Sequence, residues 1–184
     1  PNTQIAKASG FKIDETNGGI VADDQLRVSG TVYAAGDVAS FKDNKLGRRR
    51  NEHWENAMIS GRLVGENMTG GEKAFWYQPS FFTKIGTGML LNAVGDTNSK
   101  HETVSVYKKT DEGNKYEKGV IFYVKESKIV GVVLVNVAGS SDVARRLIDD
   151  AKEVEDFKEI AKLFPIYENE KKEEKGEEKK KEKE

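Results

Sequence analysis

Thr31-Val32-Tyr33-Ala34-Ala35-Gly36-Asp37-Val38-Ala39 is the stretch on which the fold turns. A short apolar run with β-branched and aromatic residues, closed by glycine, reads as a buried strand. Gly36 lets the chain turn tightly, so Asp37 stands just past the strand's carboxyl end. In open α/β sheets ligands bind there, and a carboxylate can accept two hydroxyl donors of a ribitol or ribose chain. An ordinary Asx turn would use the same residues. Upstream, Asn17-Gly18-Gly19 predicts a tight turn into a strand at Ile20-Val21, and Gln25-Leu26-Arg27-Val28 a further strand closed by Ser29-Gly30. Downstream, helical text from about Asn51 to Asn67 puts Ala57, Gly61, Val64 and Met68 on one face. Its small residues would admit a close neighbour.

The chain has 184 residues, 30 Lys+Arg against 31 Asp+Glu, and no cysteine. No cysteine means no disulfide framework, thiolate zinc site or redox dithiol in this stretch. A net charge of −1 argues against a broadly basic nucleic-acid or membrane binder. No run approaches the roughly 18 apolar residues of a membrane span. The chain starts at Pro1 with no signal or transit pattern, which predicts a cut chain or one that begins inside a longer protein. At the other end, Lys171 to Glu184 holds seven Lys and six Glu around Gly176. Such a run has nothing to bury and predicts a solvated tail over 168–184.

The text changes character near Gly70-Gly71. Beyond it, Leu90–Val94, Thr103–Tyr107, Val120–Val124 and Ile129–Val135 read as strands, the last two joined by a hairpin at Lys125–Lys128. Lys108 to Lys118 reads as a loop or hairpin tip. Asp142 is placed to cap a helix running past Ile148, with Val143, Leu147 and Ala151 inward. A second helix, about Val154 to Leu163, carries Phe157, Ile160, Ala161 and Phe164 on one face and stops at Pro165. Strands followed by helices predict an α+β domain on an antiparallel sheet.

Three constellations carry chemistry. Gly47-Arg48-Arg49-Arg50-Asn51-Glu52-His53-Trp54 stands at or before a helix start, where free N–H groups favour electron-rich atoms. His53 and Trp54 could touch a flat cofactor, Glu52 could accept from an amide or hydroxyl, and the arginines could bind phosphate. A basic, solvated helix start with Trp54 as a core anchor is the plainer alternative. Phe75-Trp76-Tyr77 and Phe81-Phe82, around Pro79, form either core or a stacking wall. Asn136, after an apolar strand, is either a turn residue or a ligand contact. His53 and His101 have no metal-ligand spacing, and there is no GxSxG, Walker loop or GxGxxG opening a βαβ unit.

Tyr33-Ala34-Ala35-Gly36-Asp37-Val38-Ala39 resembles the second flavin-contacting motif of FAD-dependent pyridine-nucleotide oxidoreductases. Lys45-Leu46-Gly47-Arg48-Arg49-Arg50, the run Gly61 to Gly70 (GRLVGENMTG), Gly119–Tyr123 and Ala161–Phe164 together resemble the mitochondrial apoptosis-inducing factor family, from Pro1 to about Tyr167. That resemblance implies an α+β chain. Residues 1–70 would be the remainder of a FAD/NAD-binding α/β lobe, 71–167 an antiparallel-sheet C-terminal domain of dimerisation type, and 168–184 a disordered Lys/Glu tail. The dinucleotide fingerprints would lie upstream. It implies Asp37 on the FAD ribityl chain, Glu52 and His53 on NAD with His53 also on the flavin, and Trp54 where the family commonly has a second His. Phe82 replaces the family's nicotinamide-stacking Trp, Asn92 its acidic NAD contact, and Asn136 matches a further NAD contact. The implied activity is NADH oxidation through FAD by the complete protein, with the present stretch inactive alone. Family traits add a redox-linked homodimer with Arg48 at its contact, an import partner, respiratory-chain maintenance and residence in the mitochondrial intermembrane space. They also add nuclear passage in cell death with DNA binding, for which Arg48, Arg49 and Arg50 would form the patch. A non-catalytic partner- or DNA-binding module, or a ferredoxin- or rubredoxin-reductase-like enzyme, is the alternative.

Overall fold

The computed structural model describes residues 1–78, 80–109 and 116–167. The expected tail, the tip of the Lys108–Lys118 loop and Pro79 lie outside the described residues. The chain forms two compact units, Pro1–Phe81 with Val94–Asp96, and Phe82–Ala93 with the residues from Thr97 on.

The first unit begins with α1 (Gln4–Ala8) and β1 (Ile20–Val21). A small antiparallel ladder follows, β2 (Arg27–Ser29) with β3 (Val32–Tyr33). The run expected as a buried strand therefore shrinks to two residues, with Val32 exposed. The buried strand comes after the Gly-Asp turn: β4 (Ala39–Asp43) pairs in parallel with β1 and antiparallel with β5 (Gly47–Arg49). Between β3 and β4, Gly36–Val38 makes one 3-10 turn, in which Gly36 takes φ 69°, a left-handed value that suits glycine.

The long helix α2 (Trp54–Met68) carries the second correction. Gly61 and Met68 are exposed, and the buried residues are polar: Asn56, Ser60 and Asn67. Ile59, Leu63 and Val64 pack beside them on the core of Leu26, Phe41 and Phe75. The expected apolar face is rotated because this helix latches onto the turns around it by hydrogen bonds. The Gly36 N–H donates to Ser60 Oγ at 2.9 Å, and that hydroxyl donates to the Asn56 carbonyl. Asn67 Nδ2 donates to the carbonyls of Gln25 (3.0 Å) and Lys73 (2.8 Å), while its Oδ1 accepts from the Lys73 N–H at 2.7 Å. Phe75 meets Phe41 edge-on at 4.9 Å and its N–H donates to the Asp24 carbonyl. That packing carries residues 71–81 into the first unit, so compactness draws the division after Phe81 rather than at 70.

The second unit is built on a five-stranded sheet in the order β6-β7-β10-β9-β8. Its strands are β6 (Ser80–Ile85), β7 (Met89–Gly95), β8 (Glu102–Lys109), β9 (Tyr116–Lys125) and β10 (Lys128–Val135). β9 is antiparallel to both β8 and β10, with Glu126 and Ser127 alone forming the hairpin loop at φ 52° and 60°. Val120, Phe122, Val132 and Leu134 are buried with Ala144 and Ile148 of α3 (Ser141–Asp150). Ala144 and Ile148, not Val143 and Leu147, are the innermost residues of α3, the face that packs on β10, and its N-cap is Ser140. Asp142 sits in the first turn, where it accepts from Arg145 at 2.9 Å. The last helix, α4 (Phe157–Ala161), is shorter than expected and is capped by Asp156, whose carboxylate accepts from the Lys158 and Glu159 N–H groups. Phe122 packs against Phe157 and Phe164 at 5.6 and 6.1 Å.

Asn67 ties three backbone groups from inside a buried site, so Asn67→Ala should cost about 2–4 kcal/mol, the loss of buried hydrogen bonds that leave partners unsatisfied. Denaturant unfolding would show a lower midpoint with an unchanged slope.

Candidate functional site

The expected helix-start constellation divides between two elements. Gly47–Arg49 is strand β5, and α2 begins only at Trp54, with His53 as its N-cap. His53 Nδ1 accepts from the Glu55 N–H at 3.3 Å, an assignment that leaves the proton of a neutral ring on Nε2. The His53 ring lies 6.3 Å from that of Phe81. Glu55 Oε2 accepts from both the N–H and the Oγ of Ser80, at 2.8 and 3.1 Å. Trp54 is 73% exposed, so it is no core anchor.

All three arginines make hydrogen bonds within the protein. Arg48 Nη1 donates to the carbonyls of Ala22 (3.0 Å) and Ser40 (2.6 Å). Arg49 is largely buried and donates to Gln78 Oε1 (2.8 Å), Asn51 Oδ1 (3.3 Å) and the Gly95 carbonyl (2.9 Å). Asp43 lies 3.6 Å from Arg49 and accepts from Gln78 Nε2 at 2.7 Å. Burial pulls the Arg49 guanidinium below its ordinary value, opposed by the charges of Asp43 and Asp96. Arg50 Nη1 donates to the Asp37 carbonyl at 3.0 Å and to Glu52 Oε1, while its Nε donates to the Asn17 carbonyl at 2.7 Å. One guanidinium thus brings the Asp37 turn and Glu52 together, a link the sequence reading missed. The Arg50 hydrogen bond, then its charge, hold the Glu52 carboxyl below the usual glutamate range.

The Asp37 carboxylate is exposed and makes no hydrogen bond to the described residues. Asp14 accepts from Ser40 Oγ at 2.8 Å and from the Thr16 N–H at 2.9 Å, which shapes the loop that holds Arg50. The Ser40 hydrogen bond is the chief reason the Asp14 carboxyl lies below its ordinary value.

In the second unit, Phe82 on β6 is 71% exposed. Asn92 on β7 donates from Nδ2 to Ser141 Oγ at 2.9 Å, and its buried Oδ1 has no partner among the described residues. Asn136 takes φ 54° and is a strand clamp: Oδ1 accepts from the Leu90 N–H, and Nδ2 donates to the carbonyls of Gly88 and Glu117. The aromatic cluster splits, with Phe75 in the core and Trp76 exposed. Trp76 borders a cavity of about 140 Å³ walled by Ile59, Leu63, Phe75 and Tyr77. Among the described residues no group of His, Asp or Glu could hold a metal, and no helix is long and apolar enough to cross a membrane.

Arg49→Met should cost about 3–5 kcal/mol in denaturant unfolding, because Asp43 is left buried without its cation. Arg49→Lys should recover only part, since a point charge cannot reproduce the forked contacts. Ser40→Ala tests Asp14. A carboxyl lowered in the folded state stabilises it above the ordinary carboxylate range, and that contribution is lost as pH falls through the lowered value. The stability gap between the parent and Ser40→Ala should therefore be full at neutral pH and narrow in acid, as read by unfolding at a series of pH values.

Comparison with known proteins agrees with this architecture. Residues 1–61 match the pyridine nucleotide-disulphide oxidoreductase family, and residues 64–115 and 108–150 match the family described as apoptosis-inducing factor, mitochondrion-associated, C-term. The chain is 33% identical to the putative mitochondrial apoptosis-inducing factor 1 of Drosophila melanogaster, over 91% of this chain and 29% of that protein. It is 38% identical to the mitochondrial apoptosis-inducing factor 1 of Dictyostelium discoideum, over 87% of this chain and 31% of that protein. It thus spans about a third of the length of the curated relatives it matches. Among solved structures, a ferredoxin reductase of Rhodopseudomonas palustris superposes with a TM-score of 0.68 at 30% identity, over 84% of this chain and 36% of that one. A pyridine nucleotide-disulphide oxidoreductase of Desulfovibrio vulgaris, at 19% identity and a TM-score of 0.63 over 89% of this chain and 45% of that one, shares the fold. With the oxidoreductase match over residues 1–61 followed by the C-terminal match from residue 64 on, the chain belongs to the apoptosis-inducing factor family.

Proposed function

We propose that this chain is the C-terminal part of a mitochondrial FAD-dependent NADH oxidoreductase, and that it supplies contacts to both cofactors. The observation that carries this reading is a set of polar groups left without protein partners at the relevant positions. The Asp37 carboxylate is one, and the buried Asn92 Oδ1 another. Asn51 Nδ2 and Asn56 Oδ1, buried and unpartnered among the described residues, flank Glu52 and His53. The acceptors among them, on Asp37, Asn56 and Asn92, suit the hydroxyls of a ribityl or ribose chain and the N–H of a carboxamide, and the Asn51 Nδ2 donor suits a carboxamide oxygen. The residues present therefore fit the two cofactors.

When bound, the flavin supplies the redox chemistry by accepting hydride from the nicotinamide. The chain's own residues bind and orient. Asp37 would accept from ribityl hydroxyls. Glu52, whose carboxyl the Arg50 hydrogen bond and charge hold below the usual glutamate range, would accept from the nicotinamide end. His53 would present its Nε2 side, since Nδ1 caps α2. Trp54 and Phe82 would offer exposed ring faces, and Asn92 keeps the acceptor character of the acidic residue it replaces because Ser141 occupies its amide nitrogen. Asn136 would act through the strands it clamps.

The finer family traits rest on the resemblance alone. They are the redox-linked homodimer, the import partner, respiratory-chain maintenance, the intermembrane space, and nuclear passage with DNA contact. The guanidiniums of Arg48, Arg49 and Arg50 are already held by protein acceptors, so the reading as a nucleic-acid module gains no support from them.

Absorbance spectra of the full-length protein and of this chain alone test the proposal. FAD should co-purify with the former and bleach on anaerobic addition of NADH, while this chain alone should retain none. Asp37→Ala should weaken FAD about 10–100-fold, the worth of hydrogen bonds to a charged group. Tight FAD binding by this chain alone would overturn the division of the site.

A further inference from the structure

We propose that Arg50 is a positioning residue for the nicotinamide contact: its guanidinium fixes Glu52 against the Asp37 turn and so sets the carboxylate that NAD(H) meets. The inference rests on the reading of Glu52 as a cofactor contact and adds to it the residue whose guanidinium holds Glu52 Oε1.

The geometry is that of a built strut. Arg50 comes from the end of β5, and its side chain is 16% exposed although its partner Glu52 is 60% exposed. Nε is held by the Asn17 carbonyl at 2.7 Å and Nη1 by the Asp37 carbonyl at 3.0 Å. Two loops therefore orient the guanidinium before it meets Glu52 Oε1. The Asn17 loop is itself fixed, since Asn17 Nδ2 donates to Ser40 Oγ at 3.1 Å and its Oδ1 accepts from the Gly19 N–H at 3.0 Å. The path of the stem is cleared by a glycine. A Cβ on Gly19 would stand 2.8 Å from Arg50 Cδ and 2.9 Å from the Ser40 nitrogen, closer than a side chain allows.

The consequence is chemical. A glutamate on an exposed loop samples many rotamers, and ordering it on binding costs affinity. A clamp on Oε1 removes that cost in advance and leaves Oε2 to accept from the ligand. Lysine cannot replace the clamp fully, because the function needs Nε and Nη1 in a fixed plane.

A double-mutant cycle in the FAD-loaded full-length protein tests this, with NAD+ affinity and NADH steady-state kinetics as readouts. Arg50→Met should raise the Kd for NAD+ about five- to tenfold, a fraction of one charge-assisted hydrogen bond. It should raise KM for NADH with little change in kcat, the pattern of lost ground-state binding. Glu52→Ala should weaken NAD+ at least as much, and adding Arg50→Met to it should change the Kd by less than about twofold. Arg50→Lys, the milder variant, should recover part of the affinity and show the same lack of additivity. Multiplicative effects would overturn the proposal, since they would mark Arg50 as a general stabiliser. A Glu52→Ala variant with unaltered NAD+ affinity would overturn the reading of Glu52 itself, and the inference with it. Normal affinity in Arg50→Met beside weakened affinity in Glu52→Ala would sink the inference alone.

Discussion

A buried guanidinium governs the first unit. Arg49 cannot lose its charge and has little water, so the chain must bring acceptors to it. It does so from distant stretches: Asp43 from β4, Gln78 from the segment after α2, Asn51 from the approach to α2, and the Gly95 carbonyl from the end of β7. Gln78 in turn meets Asp43, so the network closes on itself. Burying such a group is costly unless each partner is in place. That requirement fixes the β4–β5 hairpin and the places of Gln78 and Gly95 in the first unit far more narrowly than an apolar contact would.

The same logic explains the most distinctive sequence motifs. The arginine triplet looks like a surface for anions, yet each guanidinium is bound to backbone or side-chain acceptors of the protein. The GENMTG run ends α2 with Asn67, whose amide ties the Gln25 and Lys73 backbones. Ser60 relays the Gly36 N–H to the Asn56 carbonyl. These residues hold the loops that carry the candidate residues Asp37, Glu52 and His53.

Legibility in the sequence followed the kind of force involved. Strands β7 to β10 are readable because their apolar and β-branched runs announce burial directly, and the hairpin expected at Lys125–Lys128 forms with its loop tightened to Glu126 and Ser127. The phases of α2 and α3 were misjudged. In α2 the buried stripe is Asn56, Ser60 and Asn67, which hydrophobic periodicity scores as solvent-facing. In α3 the packing against β10 buries Ala144 and Ile148 instead of the neighbouring Val143 and Leu147. β4, which alternates poorly and carries Lys42, was missed because its burial comes from β1 and β5, not from its own composition.

The sequence by itself determined the family and the α+β class and named the candidate residues, because these are carried by motifs and by apolar runs. Tertiary structure alone decided how those residues are used. Asn136 became a clamp and Asn92 an oriented acceptor through partners far along the chain. Glu52 became a held carboxylate because Arg50, two residues before it, is itself anchored on the Asn17 and Asp37 carbonyls. Hydrogen-bond partners at long separation leave no periodicity in a sequence, and a charged side chain looks the same there whether it meets water, a ligand or a carbonyl of its own chain.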